Sequence, residues 1–340
     1  SQGNAAMNRL SLTLLAALAL AVPLSLLAGK VWIDPFHPAL PNATLILLGL
    51  RLPRAVLAVT IGAGLGGAGA AMQGYLRNPL ADPGLFGIAP AAALGAVFAF
   101  WTGLATAFTL PAFALFGAGG AMALLGVLAG RQADGPGGGG IALFTLAGMM
   151  IASLAGALMS LVISLAPNAF AQSEIVTWLM GALTDRGWAE VWLCLPLTMA
   201  GLAVLRLAGP GLDALVLGTM AARSLGLDPR RLQLLLIAGV GLTVGAGVAV
   251  AGIIGFVGLV VPHLVRPLTD RRPSSLIVPS ALAGALLLLV ADCVCRLLPL
   301  VTELRLGIAL SLIGAPFFLA LLLRLRSGGA AGKTADGGLD

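Results

Sequence analysis

Between Ala55 and Leu76 the chain runs for 22 residues without a charged side chain. At about 1.5 Å per residue, a helix of that length crosses the ~30 Å hydrocarbon core of a bilayer. The run starts behind a paired-arginine cluster, Arg51-Leu52-Pro53-Arg54, and breaks at Arg77-Asn78-Pro79. Gly62, Gly66 and Gly69, with Ala63, Ala70 and Ala71, leave the helix thin. A thin helix lets neighbouring backbones approach closely in a bundle.

Runs of the same kind recur, and spans are expected at 11–29, 55–76, 86–104, 106–129, 141–165, 190–207, 232–250, 253–268, 277–297 and 306–325. The chain is 59% hydrophobic and only 9% charged, whereas soluble domains are about a quarter charged. No short alternating segments of the kind a β-barrel needs are present. The fold class is therefore all-α, a polytopic integral membrane protein of about ten transmembrane helices. Ser1 to Ala6 read as a vector-derived remnant ahead of Met7. Leu10 to Leu27 lacks a convincing small-residue cleavage site before Lys30 and reads as a retained first helix. Residues 7–326 are expected to form one transmembrane domain, and 327–340, rich in glycine and alanine, a disordered tail.

With the N-terminus inside and ten alternating spans, thirteen Lys and Arg fall on the cytoplasmic side and six outside. That bias places both termini in the cytoplasm. The net charge of +6 does not indicate nucleic acid, because the basic residues sit singly between spans. Cys194, Cys293 and Cys295 fall within apolar runs and are expected to pack, without forming a metal site.

The connections differ in character. Residues 30–50 are expected to hug the outer interface, and 130–140 to form a mobile inner loop. The stretch 167–187 is too short and polar to span; its centre, 175–183, is expected to be a short helix on or dipping into the outer face. Residues 209–231 read as the longest inner loop, with a short helix in the Ala-rich part of Leu217–Gly226 that Gly226 can end in a left-handed position. Such a helix suits docking of a partner; an ordinary surface loop is the alternative.

Several side chains carry two readings. Arg51 and Arg54 are either snorkelling interface anchors or docking points for acidic groups, with Arg296 on the same side. Asn78-Pro79 and Asp82-Pro83 read as a turn that re-aims the chain. In 247–266 the glycines, Gly255 and Gly258 among them, permit close helix contact, and Pro262-His263 leads to Arg266. His263 is expected to be a hydrogen-bonded interface residue. Asp292 is an acid at membrane depth, which is costly unless paired; Arg296 stands four residues on, on the same helix face. The chain has neither a nucleotide-binding Gly-x-x-x-x-Gly-Lys-Ser/Thr run nor a hydrolytic triad, so it is not expected to be an enzyme.

Five stretches together resemble the iron-chelate and vitamin B12 permease family, the membrane subunits of type II ABC importers. They are Arg51–Gly87, Trp178–Gly181, Ala221–Gly226, Gly252–Arg266 and Gly307–Leu323, and the resemblance extends from about residue 10 to 326. It implies ten spans, a homodimer with the pathway on its two-fold axis, two cytoplasmic ATPase subunits and a periplasmic binding protein, in the bacterial inner membrane. ATP and Mg would be used by the ATPase subunits, with no cofactor bound by this chain. It further implies that Arg51, Arg54 and Arg296 engage acids of the binding protein, and that Ala221, Arg223, Leu225 and Gly226 couple to the ATPases. Asn78, Pro79, Asp82, Pro83, Gly255, Gly258, Pro262, His263 and Asp292 would shape the spans and pathway. Glu303-Leu304-Arg305 departs from the family's Glu-Leu-Pro, adding a positive charge. Thr269-Asp270-Arg271-Arg272 also departs, so no role is carried onto that turn.

The cargo implied is a large iron chelate, with haem favoured because outer arginines suit an anionic cargo or its carrier. Ferric siderophore and cobalamin are the alternatives. Outside the family, an ATP-independent secondary transporter would need ion-coordinating groups at broken helices. A scaffolding membrane protein would leave the coupling-like loop unexplained.

Overall fold

The computed structural model describes residues 2–29, 43–130 and 139–333, and no strand occurs among them. Helix α1 is Gln2–Leu27, α2 is Ala43–Leu76, α3 is Ile88–Trp101, α4 is Thr109–Gly130, α5 is Gly139–Ser164 and α6 is Ala169–Leu179. After them come α7, Trp188–Val216; α8, Thr219–Ser224; α9, Pro229–Ala251; α10, Val257–Val265; α11, Pro273–Leu297; and α12, Leu306–Lys333. Seven of these (α1, α2, α4, α5, α7, α9 and α11) are long and apolar enough to cross a membrane, and α3, Val257–Leu268 and the Leu306–Leu321 part of α12 are shorter apolar stretches. Together they account for the ten expected spans.

Helix α2 is the centre. It packs on α7, α9, α10 and α11, and its residues from Leu57 to Tyr75 are buried on almost every side. A helix apolar all round belongs in the interior of a bundle. The seam with α11 depends on missing side chains: a Cβ on Gly62 would run into the backbone of Gly284, and one on Gly66 into the carbonyl of Ser280. The small face read from the sequence is therefore a backbone-to-backbone contact.

Several boundaries differ from expectation, each for a local reason. Helix α2 begins at Ala43, passing through a π-helical turn at Ile46–Arg51. The third span starts only at Ile88, because Pro83–Phe86 forms a 3₁₀ turn and Gly87 turns left-handed at φ +73°. The eighth begins at Val257, because Gly252 (φ +75°) and Phe256 (φ +67°) break the backbone between α9 and α10. The sixth runs on to Val216, so most of the inner loop expected at 209–231 is helical. Asp213 secures that extension by accepting bonds from Ser274 N (2.9 Å) and Ser274 Oγ (2.6 Å) at the start of α11. The last helix continues to Lys333 past the expected start of the tail, since no proline follows Pro316 to stop it. Most of the expected loops at 30–50 and 130–140 lie outside the described residues, as do Ser1 and 334–340. The short helix expected within 167–187 is α6, placed earlier than 175–183 because Asn168 caps it by accepting from Ala171 N at 2.8 Å.

Three stretches far apart in sequence meet in one backbone knot. Ala182 N donates to Ala251 O (2.8 Å), and Gly307 N donates to Gly181 O (3.1 Å). Gly181 is left-handed at φ +69°, and a Cβ on Gly307 would strike the carbonyl of Met180. The turn after α6, the break after α9 and the start of α12 are thus tied together.

Candidate functional site

One face of the bundle gathers the end of α1, the start of α2, the segment 180–188, the end of α11 and the start of α12. There Arg54 and Arg296, two of the three arginines expected to dock a partner, meet at Asp292, and Arg51 lies near Arg296. Arg54 donates to Asp292 Oδ1 through Nε (3.0 Å) and Nη2 (2.9 Å), and through Nη2 to Glu303 Oε2 (2.8 Å). Arg296 Nε stands 3.1 Å from Asp292 Oδ2, the pair anticipated from their spacing. That contact is an ion pair without hydrogen-bond alignment, since Arg296 Nε has no hydrogen-bond partner. Asp292 is 1% exposed and stands between two guanidinium groups, an arrangement that meets the requirement for a charge at membrane depth.

The other donors of these arginines close the end of α1. Arg296 Nη1 donates to Ser25 O (3.2 Å) and Ala28 O (3.1 Å), and Arg51 Nη1 donates to Leu26 O (2.8 Å) and Leu27 O (3.3 Å). The last carbonyls of a helix have no intrahelical donors, and cations are favoured there. Glu303 was not foreseen as part of this cluster, and neither was the α1 terminus.

Four expected pathway residues meet elsewhere. Asp82, Pro83, Gly255 and Gly258 line one cavity of about 70 Å³ between α2, α9 and the two backbone breaks. Asn78 Oδ1 accepts from Leu80 N (3.0 Å) and Asp82 Oδ1 from Gly84 N (2.7 Å), so both acceptors shape the turn that returns the chain. Pro79 lies in that turn, and Pro262 is buried within α10. The hydrogen bond expected of His263 is not formed at Nδ1. The ring instead packs edge-on against Phe317, centroids 6.2 Å apart, because α10 lies against α12. Arg266 reaches α2, donating to Gln73 Oε1 at 3.0 Å, while Gln73 Nε2 donates to Leu259 O at 3.1 Å. No reading of the sequence pointed to Gln73. Cys194 and Cys295 are buried, Cys293 is partly so, and all three are free thiols.

On the opposite face α8 stands clear of the bundle. Only Ala222 is buried in it; Ala221, Arg223, Leu225 and Gly226 are exposed, with Met220 73% and Leu225 68% exposed. Gly226 is left-handed at φ +87°, and Leu227 N donates back to Ala222 O (3.0 Å). This is the Schellman closure that a glycine at that place permits. Asp228 then caps α9 by accepting from Arg230 N (2.9 Å) and Arg231 N (3.3 Å).

Comparison with known proteins matches residues 13–324 to the FecCD transport family. The chain is 38% identical over 293 residues to the uncharacterized ABC transporter permease protein YvrB of Bacillus subtilis, covering 85% of this chain and 82% of the relative. It is 36% identical over 318 residues to the vitamin B12 import system permease protein BtuC of Escherichia coli O9:H4, covering 90% and 92%. A solved metal-chelate type ABC transporter in an inward-facing conformation superposes with a TM-score of 0.84 at 29% identity, covering 93% of this chain and 99% of that one.

Proposed function

As the chain belongs to the FecCD transport family and is an ABC transporter permease, we propose that it works as a homodimer in the bacterial inner membrane and imports haem. In this reading a periplasmic binding protein delivers the cargo to the arginine-bearing face. Two separate ATPase subunits, using ATP and Mg, hold the opposite face and drive release into the cytoplasm. The observation that carries the reading is α8, a short capped helix with exposed apolar side chains, which offers a rigid handle to a cytoplasmic partner. The preference for haem rests on charge, because Arg51, Arg54, Arg186, Arg296 and Arg305 gather on the other face. Ferric siderophore and cobalamin remain the competing cargoes.

The test is uptake into proteoliposomes holding the permease, its ATPase and its binding protein, supplied in turn with haem, cobalamin and a ferric siderophore. ATP-dependent uptake of haem above the other two is expected. Uptake of another cargo in preference would overturn the haem assignment, and uptake without the ATPase would overturn the importer.

A further inference from the structure

A second group of charges lies on the arginine-bearing face, apart from the Asp292 cluster. Glu174 and Asp185 stand with Arg186 and Arg305 around a cavity of about 270 Å³, between α6, the segment 180–187 and the start of α12. Phe100, Phe170 and Trp178 line its apolar side. Among the described residues, no side-chain hydrogen bond or ion pair within 4 Å joins any of these four charges to a protein group. Arg186 feels Glu190, Asp185 and Arg305 only through longer-range interaction.

The unsatisfied atoms share one chemistry. Trp178 Nε1 and Arg186 Nε are both buried, and neither has a hydrogen-bond partner. Both are donors, so their complement is an acceptor. A buried donor left unpaired costs free energy, and such sites commonly mark where a ligand or ordered water completes the structure. The acids are placed differently: Glu174 and Asp185 are exposed, whereas Trp178, Arg186 and Arg305 are half-buried. Negative charge is therefore screened at the rim, and the two unpaired donor atoms lie buried beneath the lining.

We propose that this cavity is a binding site for a small aromatic carboxylate, or for one carboxylate-bearing arm of a larger cargo. The carboxylate accepts from Arg186, Arg305 and Trp178 Nε1, and the ring lies against Phe100, Phe170 and Trp178. Pockets for drug-sized ligands run about 300–1,000 Å³, so a cavity of about 270 Å³ is too small for a whole metal chelate. Carboxylate recognition by guanidinium is the charge-assisted case, stronger than a neutral hydrogen bond. This inference goes beyond the importer reading, and its test needs neither ATP nor a binding protein. It can therefore fail while that reading stands.

The test uses the full chain in lipid nanodiscs, with 4-fluorobenzoate as probe and neutral 4-fluorobenzamide as control, followed by fluorine NMR against empty nanodiscs. Benzoate is expected to bind the wild-type chain more tightly than the amide. Arg305→Gln and Arg186→Gln should each weaken it about tenfold or more, the loss expected for one charge-assisted hydrogen bond. Trp178→Phe, which keeps the ring and removes only the N–H donor, should weaken it less. Thermal melting of each variant reports whether it is folded, and Arg305→Gln decides the matter if Arg186→Gln is not. Equal binding of benzoate and benzamide, or wild-type affinity in a folded Arg305→Gln chain, would mean that no guanidinium–carboxylate contact forms in the cavity and would overturn the proposal.

Discussion

The two charge clusters on the arginine-bearing face use the same residue types and reach opposite outcomes. Around Asp292, Arg54 and Arg296 each have a carboxylate within 3.1 Å, and the spare donors of Arg296 cap the carbonyls of α1. Around Trp178, two arginines and two acids share a cavity without direct pairing, and two donors are left over. The first cluster is held between long helices, where α2 and α11 meet backbone to backbone. The second sits among a short helix, a turn and a helix start. Charges between rigid helices can be brought to ion-pair distance and kept there. Charges on connecting segments are free of that constraint, which suits a site that has to accept something from outside.

The sharpest way to break this contrast is Asp292→Ala. It removes the acid shared by Arg54 and Arg296, leaving buried Arg296 without a carboxylate partner and Arg54 with only the partly exposed Glu303. Breaking a buried pair by deleting one partner costs about 3–5 kcal/mol, so a large drop in melting temperature is expected in detergent or nanodiscs. Adding Arg296→Met should recover part of it, because one stranded charge is then gone. An unchanged melting temperature in Asp292→Ala would show that the cluster is not the closed network described.

Next in size is Gly66→Val, which attacks the seam that positions the cluster. The new side chain would meet the carbonyl of Ser280, forcing α2 away from α11 and Arg54 away from Asp292. Overpacking a tight contact costs about 1–3 kcal/mol. Crosslinking of cysteines introduced across the α2–α11 seam should become slower if the helices part. An unaltered crosslinking rate would mean that the helices absorb the side chain elsewhere.

The helices were far more legible than the site. Spans such as Ala55–Leu76 announce themselves by length and lack of charge, and the small face by its glycines. The short helix ending at Gly226 was also readable, because both alanine content and a left-handed glycine are local signals. The breaks at Gly87 and Phe256 were blurred, since apolar composition continues across them and only φ distinguishes them. In the cluster, Asp292 and Arg296 lie four apart on one helix, so their pairing could be anticipated. Arg54 lies 238 positions from Asp292, and no periodicity relates them. The sequence left Arg51, Arg54 and Arg296 between interface anchors and docking points, and only the family resemblance implied docking, whereas the fold turns much of their hydrogen-bonding capacity inward. Any docking by these arginines would compete with those internal acceptors.

A smaller effect is expected from Glu303→Gln. Glu303 accepts from Arg54 at 2.8 Å, but its side chain is 26% exposed, so water screens the pair. Exposed ion pairs contribute about 0–1 kcal/mol, and Arg54 keeps Asp292 as its main acceptor. The melting temperature should fall slightly, well short of the change for Asp292→Ala. A loss as large as that of Asp292→Ala would place Glu303 inside the closed network.

The smallest change in stability belongs to Arg186→Gln, and its size separates the two clusters. No ion pair within 4 Å is lost, and a half-buried charge beside Arg305 is removed. Burial and the neighbouring guanidinium both press the Arg186 group below its ordinary value, while Glu190 and Asp185 press it upward. Burial, the largest of these influences, prevails and the net direction is downward, so the charge of Arg186 lends the fold no net stability and its removal should cost none. If Arg186 exists to bind a ligand, its replacement should leave melting almost unchanged while carboxylate binding falls. A loss of stability comparable to that of Asp292→Ala would mean that Arg186 is held by the fold as Arg296 is, and the distinction between a closed cluster and an open one would collapse.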